Sequence, residues 1–171
     1  AWGRDAGRAA AFAARMTRRH GRPVEAVADL AAAVAGADVI CTVTSAATPI
    51  LHGEWLRPGQ HVNLVGSAIA TTAEADSAVV RRSRFFVDYR DAALAAAGEL
   101  LEAIRSGVVT EAHLLGEIGE VLAGRLPGRQ SPDDITVYKS LGVTSQDLAA
   151  AQIVYAAALE QGVGLDVELS D

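Results

Sequence analysis

The segment from Gly36 to Ser67, GADVICTVTSAATPILHGEWLRPGQHVNLVGS, constrains the fold more than any other part of the chain. It holds two short apolar runs, Val39–Val43 and His61–Val65, each stopping at a small polar or glycine-bearing tip. The first tip is Thr42-Val43-Thr44-Ser45 and the second is Val65-Gly66-Ser67. Pro49, Gly53, Pro58 and Gly59 punctuate the loop between them. Nearly continuous apolar runs suit strands buried on both faces of a parallel sheet. In such sheets ligands bind off the carboxyl ends of the strands. The two tips are therefore the expected place for a cofactor.

The flanking sequence supplies helices and further strands. Ala1-Trp2-Gly3 reads as the end of a strand, and Asp5 as the N-cap of a helix reaching about His20. Pro23–Ala26 reads as a short strand, and Asp29 caps a brief helix ending at Gly36. After a polar, flexible segment at Ala68–Thr72, a helix is expected over Ala73–Arg82, with Glu74 and Asp76 in its first turn. Arg84–Val87 reads as a strand. Asp91 caps a long helix, Ala92–Arg105, and a second helical piece covers Leu115–Ala123. Pro127–Asp134 is a loop, Ile135–Tyr138 a strand, and Ser145 caps a last helix to about Gln161. Mostly alternating strands and helices predict an α/β fold with a parallel sheet.

Composition narrows the function. With 171 residues and half of them hydrophobic, the chain can build one real core. A net charge of -6 argues against a nucleic-acid partner. No uncharged run approaches the roughly 18–20 apolar residues of a membrane span. Cys41 is the sole cysteine, so no intrachain disulfide forms, and a reducing cytoplasm is the simplest location. Lying within an apolar run, Cys41 reads as buried packing. The four histidines, His20, His52, His61 and His113, show no metal-ligand spacing, so no metal is expected.

Six motifs, taken together and in order, carry a resemblance. They are Gly36-Ala37-Asp38-Val39-Ile40, Thr42-Val43-Thr44, Gly53-Glu54-Trp55-Leu56-Arg57-Pro58-Gly59, Asn63-Leu64-Val65-Gly66-Ser67, Leu115-Gly116-Glu117-Ile118-Gly119-Glu120-Val121 and Lys139-Ser140-Leu141-Gly142. The chain resembles the ornithine cyclodeaminase/mu-crystallin family over about residues 1–160. The resemblance implies a Rossmann-like NAD(P)-binding domain, incomplete at its N-terminal side, over residues 1–142. Residues 143–171 would form a C-terminal helix and tail packing toward a substrate and dimerisation domain. The family's glycine-rich turn would precede Ala1, so this chain alone is expected to be inactive and its parent protein to be a homodimer.

The resemblance also implies site residues. Gly3 stands where an acidic residue would grip the ribose of NAD, and Arg4 follows it, which favours NADP over NAD through its 2′-phosphate. Thr44 falls at a dinucleotide-contacting position, and Val65, Gly66 and Ser67 pass the nicotinamide. Ser140 flanks the nicotinamide and Leu141 the substrate. Lys139 precedes them, as either a site residue or a strand-end lysine in solvent. Glu117 and Glu120 are expected to cap a helix. Ala68 is a departure: ornithine cyclodeaminases place an acid/base aspartate there, and a lysine nearby is replaced by Thr72. Both losses favour relatives that reduce small cyclic imines or reductively aminate oxo acids. The alternatives are proline formation from ornithine and a non-catalytic NADP-holding protein.

Overall fold

The computed structural model describes residues 1–167; residues 168–171, the end of the expected C-terminal segment, lie outside the described residues. Five strands form one parallel sheet: β1 (Val39–Thr42), β2 (His61–Leu64), β3 (Ser83–Val87), β4 (Leu114–Glu117) and β5 (Ile135–Lys139). Their spatial order is β1-β2-β5-β3-β4, and every pairing is parallel. Among the described residues seven α-helices accompany them: α1 (Ala6–His20), α2 (Leu30–Gly36), α3 (Ser77–Arg81), α4 (Arg90–Ala96), α5 (Gly98–Arg105), α6 (Ile118–Leu122) and α7 (Thr144–Gln161). The α/β parallel-sheet reading holds.

Strand parity decides where the core lies. Val62 and Leu64 of β2 register with Val137 and Lys139 of β5, which register in turn with Phe85 and Val87 of β3. All six are sealed from solvent, on the face covered by Val79 and Val80 of α3, Ala93 of α4, and Leu100 and Ala103 of α5. Of the alternate residues, His61, Asn63, Arg84 and Tyr138 are only half-buried, while Thr136 and Phe86 are buried. The expectation of strands buried on both faces therefore fails for β1 and β2. In β1 only Thr42 is buried, and Val39 and Cys41 are exposed on the sheet's edge strand. Cys41 is exposed in this chain, where the sequence reading has it buried.

Several boundaries differ from the sequence reading, each for a physical reason. Residues 1–3 and 23–26 form no strand, yet Ala1 donates to the Glu25 carbonyl and Val27 to the Ala1 carbonyl, a single parallel link between them. The helix expected from Ala73 begins at Ser77, because the Asp76 side chain caps the Val79 N–H. Glu74 lies outside that helix, fully buried. The long helix at 92–105 is two helices, broken at Ala97, whose ψ of 92° is extended. Residues 115–117, the start of the helix expected over Leu115–Ala123, belong to the edge strand β4, and only then does α6 begin, with Glu117 and Glu120 forming a reciprocal capping box. α7 starts at Thr144 with no side-chain cap, so Ser145 does not cap it.

Candidate functional site

The carboxyl ends of β1, β2 and β5 lie side by side, and acidic side chains from elsewhere hold them there. Glu74 holds the first two. Its Oε1 accepts the Thr44 N–H at 2.6 Å and the Thr44 hydroxyl at 2.7 Å, while its Oε2 accepts the Thr42 hydroxyl and the Gly66 N–H, each at 2.7 Å. Burial pushes this carboxyl toward higher pKa, but the hydrogen bonds from Thr42, Thr44 and Gly66 outweigh it and hold the pKa below the usual range. Glu74 is therefore ionised at neutral pH.

The tip of β5 is held by Asp88, at the end of β3. Asp88 Oδ2 accepts the backbone N–H of Leu141 and of Gly142, both at 2.7 Å, with the Ser140 hydroxyl at 3.4 Å. Ser140 N–H donates to the Leu64 carbonyl, tying this tip to β2. The expected site residues of the second and fifth strands thus meet at one edge of the sheet.

A buried ion pair supports the middle. Lys139 and Glu99 are sealed from solvent, with Nζ 3.2 Å from Oε2. Lys139 Nζ also donates to the Ser67 carbonyl, and Glu99 Oε1 accepts the Glu74 N–H at 2.8 Å. The solvent-facing reading of Lys139 is therefore wrong. Ser67 is buried too, donating its hydroxyl to the Thr72 carbonyl at 2.7 Å. That bond closes 67–72 into a pinned loop rather than a free segment, and leaves Ala68 exposed at its bend.

Gly66 is required by this packing. A Cβ there would lie 2.1 Å from the Thr44 carbonyl oxygen and 2.4 Å from Glu74 Oε1. The glycine lets the two tips approach each other, whatever else approaches it. Thr44 is constrained as well: its hydroxyl proton goes to Glu74 and its oxygen accepts the Ala46 N–H at 3.2 Å. Toward a ligand that oxygen can only accept.

Beside the first tip is a cleft of about 270 Å³ lined by Trp2, Gly3, Arg4, Val43, Thr44 and Ser45. A second of about 590 Å³ opens beyond it, adding Asp5 and Arg8. Two guanidinium groups face one carboxylate here, and Asp5 already accepts the Arg8 N–H at 2.9 Å. The surplus of exposed cations suits a phosphate, and the cleft beside Trp2 suits an adenosine. The residues lining these clefts therefore fit a phosphate-bearing ligand such as a dinucleotide beside Arg4 and Thr44.

A sequence profile of the ornithine cyclodeaminase/mu-crystallin family matches residues 1–162. The chain belongs to this family. Among its relatives is a Δ(1)-pyrroline-2-carboxylate reductase of Paracoccus denitrificans, 41% identical over 129 residues, which are 75% of this chain and 41% of that protein. The ketimine reductase mu-crystallin of Mus musculus is 43% identical over 123 residues, 72% of this chain and 36% of that one. The structure of Thermococcus litoralis Δ(1)-pyrroline-2-carboxylate reductase in complex with NADH and L-proline superposes with a TM-score of 0.90 at 32% identity, covering 97% of this chain and 51% of the other. The chain thus spans about half or less of the length of these relatives. Sequence reasoning missed the family member's supporting carboxylates Glu74, Asp88 and Glu99. Their only signal was an acidic residue beside a tip or inside an apolar helix face.

Proposed function

We propose that the protein carrying this chain is an NAD(P)H-dependent oxidoreductase that reduces a small cyclic imine or reductively aminates an oxo acid. Ala68 carries the reading. A methyl group can neither give nor take a proton, and cyclisation of ornithine with loss of ammonia needs such a group at the substrate amine. Reduction of a protonated imine needs only a hydride at carbon. The bound dinucleotide would supply that hydride. The relatives that are pyrroline-2-carboxylate and ketimine reductases support the same direction.

In this reading Arg4 takes the 2′-phosphate of NADP, with NAD the weaker cofactor. Thr44 accepts from a ribose hydroxyl. Val65, Gly66, Ser67 and Ser140 form the wall behind the nicotinamide, and Leu141 borders the substrate. Residues 1–142 form the dinucleotide-binding part. α7 buries none of its residues although Ile153, Val154 and Tyr155 are apolar, which supports a 143–171 segment that packs on a substrate and dimerisation domain. The working protein is then a cytoplasmic homodimer acting on a small amino-acid-like substrate.

The test is a titration of the full gene product with NADPH and NADH, followed by fluorescence. Ornithine, a cyclic ketimine, and pyruvate with ammonia are then added in turn. Nicotinamide oxidation by the imine or by pyruvate with ammonia is the expected result. Proline from ornithine without net oxidation would overturn it and give the cyclodeaminase reading. Tight cofactor binding with no turnover of any of them would leave a binding protein.

A further inference from the structure

Glu74 is anchored by its own backbone. Its N–H donates to Glu99 Oε1, and its carbonyl accepts from both Ile50 and Leu51 at 2.9 Å. The side chain then serves two backbone N–H groups on different strands, Thr44 past β1 and Gly66 past β2. Each oxygen accepts twice, which fills a carboxylate's roughly four lone-pair sites. No capacity remains for a ligand, so Glu74 is no general base. The missing Cβ of Gly66 lets the tips close on this carboxylate.

We infer that Glu74 is a positioning residue that fixes the distance between the two tips, and through Gly66 sets the wall of the nicotinamide half of the site. The second clause rests on the dinucleotide reading above; the clamp itself does not. The role is one of spacing. A carboxylate of the same charge on a shorter stem cannot reach both tips, and a neutral amide of the same length has one acceptor oxygen for two backbone donors. Thr44 offers two donors to that oxygen and Gly66 one, so the amide stays with Thr44 and turns its NH₂ toward the Gly66 N–H, donor against donor. The Thr42 hydroxyl can rotate to accept.

The experiment compares Glu74→Gln and Glu74→Asp with the wild-type full gene product, with Val79→Ala as a core variant of lowered stability. Hydrogen exchange of the peptide covering residues 65–68 is measured first, without ligand. Both Glu74 variants are expected to exchange about tenfold faster there, since the Gly66 N–H loses its carboxylate partner, while residues 61–64 and the Val79→Ala protein do not change. The Kd for NADPH is expected to rise about tenfold in both variants, with the Kd for 2′,5′-ADP rising less in Glu74→Gln, whose amide stays with Thr44. Full rescue by aspartate would overturn the spacing role in favour of charge alone. Wild-type exchange at 65–68 in both variants, or an equal rise in Val79→Ala, would overturn the clamp. Failure of the wild-type protein to bind any dinucleotide would sink the cofactor reading instead, and the exchange result would then decide the clamp.

Discussion

Lys139 Nζ stands 3.2 Å from Glu99 Oε2, and neither side chain reaches solvent. The pair joins the end of β5 to α5, and it carries the Ser67 carbonyl on one side and the Glu74 N–H on the other. Taking either charge away leaves the other buried alone. Lys139→Met is therefore expected to destabilise the protein by about 3–5 kcal/mol, the usual cost of breaking a buried pair. Adding Glu99→Leu to that variant is expected to cost clearly less than the sum of the two single losses, because no charge is then left unpaired, although the Ser67 carbonyl and the Glu74 N–H still lose their partners. Urea unfolding of the two single variants and the double variant measures this. Additive losses in the double variant would refute the coupling.

Gly98 opens α5 with its α-carbon against the 67–72 loop. A Cβ there would lie 1.9 Å from the Thr72 carbonyl oxygen. Helix propensity alone says that alanine should stabilise this position by up to about 1 kcal/mol. The contact is with backbone that Ser67 already pins, so it cannot yield cheaply. Gly98→Ala is expected to cost about 1–3 kcal/mol net, the range for overpacking. A thermal melt no lower than wild type would show that the loop moves aside.

The outcomes at particular residues show what was legible in the sequence. Strands β1 and β2 announced themselves as apolar runs that stop at the Thr44 and Gly66 tips, and the capping role of Glu117 and Glu120 was visible in their spacing. What was hidden depends on contacts across the fold. Glu74, Glu99 and Lys139 look like ordinary surface residues until helix and strand bring them together. β4 was hidden because Leu114–Glu117 runs straight into α6, so its few residues were absorbed into a helical pattern. Cys41 read as buried because its neighbours are apolar, but burial of an edge strand is decided by what lies beside it. The meaning of Gly66 changed too: its space is filled by Thr44 and Glu74, a relationship no local motif reveals.

His61 makes folding sensitive to mild acid. Its Nε2 lies 3.3 Å from Asn63 Oδ1, and its Nδ1 lies 2.8 Å from the Thr136 hydroxyl, which also accepts from Arg129. This order suits a neutral ring that donates from Nε2 and accepts at Nδ1. Burial lowers its pKa below 6.5, and the nearby Arg129 charge adds to that, against the opposing bonds to Asn63 and Thr136. The unfolded chain therefore takes up a proton first as pH falls. The contribution is fully present above pH 6.5 and is lost as pH drops from there toward the folded value. His61→Gln is expected to flatten the dependence of the urea midpoint across pH 5 to 7. An unchanged slope would assign it to other groups.

Arg4 is exposed in the cleft beside Trp2 and Thr44, and it makes no hydrogen bond to another side chain among the described residues. Its guanidinium is therefore available to a ligand phosphate, whereas Gly3 offers no carboxylate to a ribose diol. A charge-assisted bond to phosphate contributes about 1.5–3 kcal/mol, so Arg4→Gln should weaken NADPH binding by roughly ten- to a hundredfold. NADH, lacking the 2′-phosphate, should change little. The exposed position also means that added salt should weaken NADPH binding more than NADH binding in the wild-type protein, and that the difference should shrink in the variant. Fluorescence titrations of both cofactors at low and high salt measure all of this. If Arg4→Gln weakened both cofactors equally, the residue would be holding a phosphate that the two share, and the reading that favours NADP would fall.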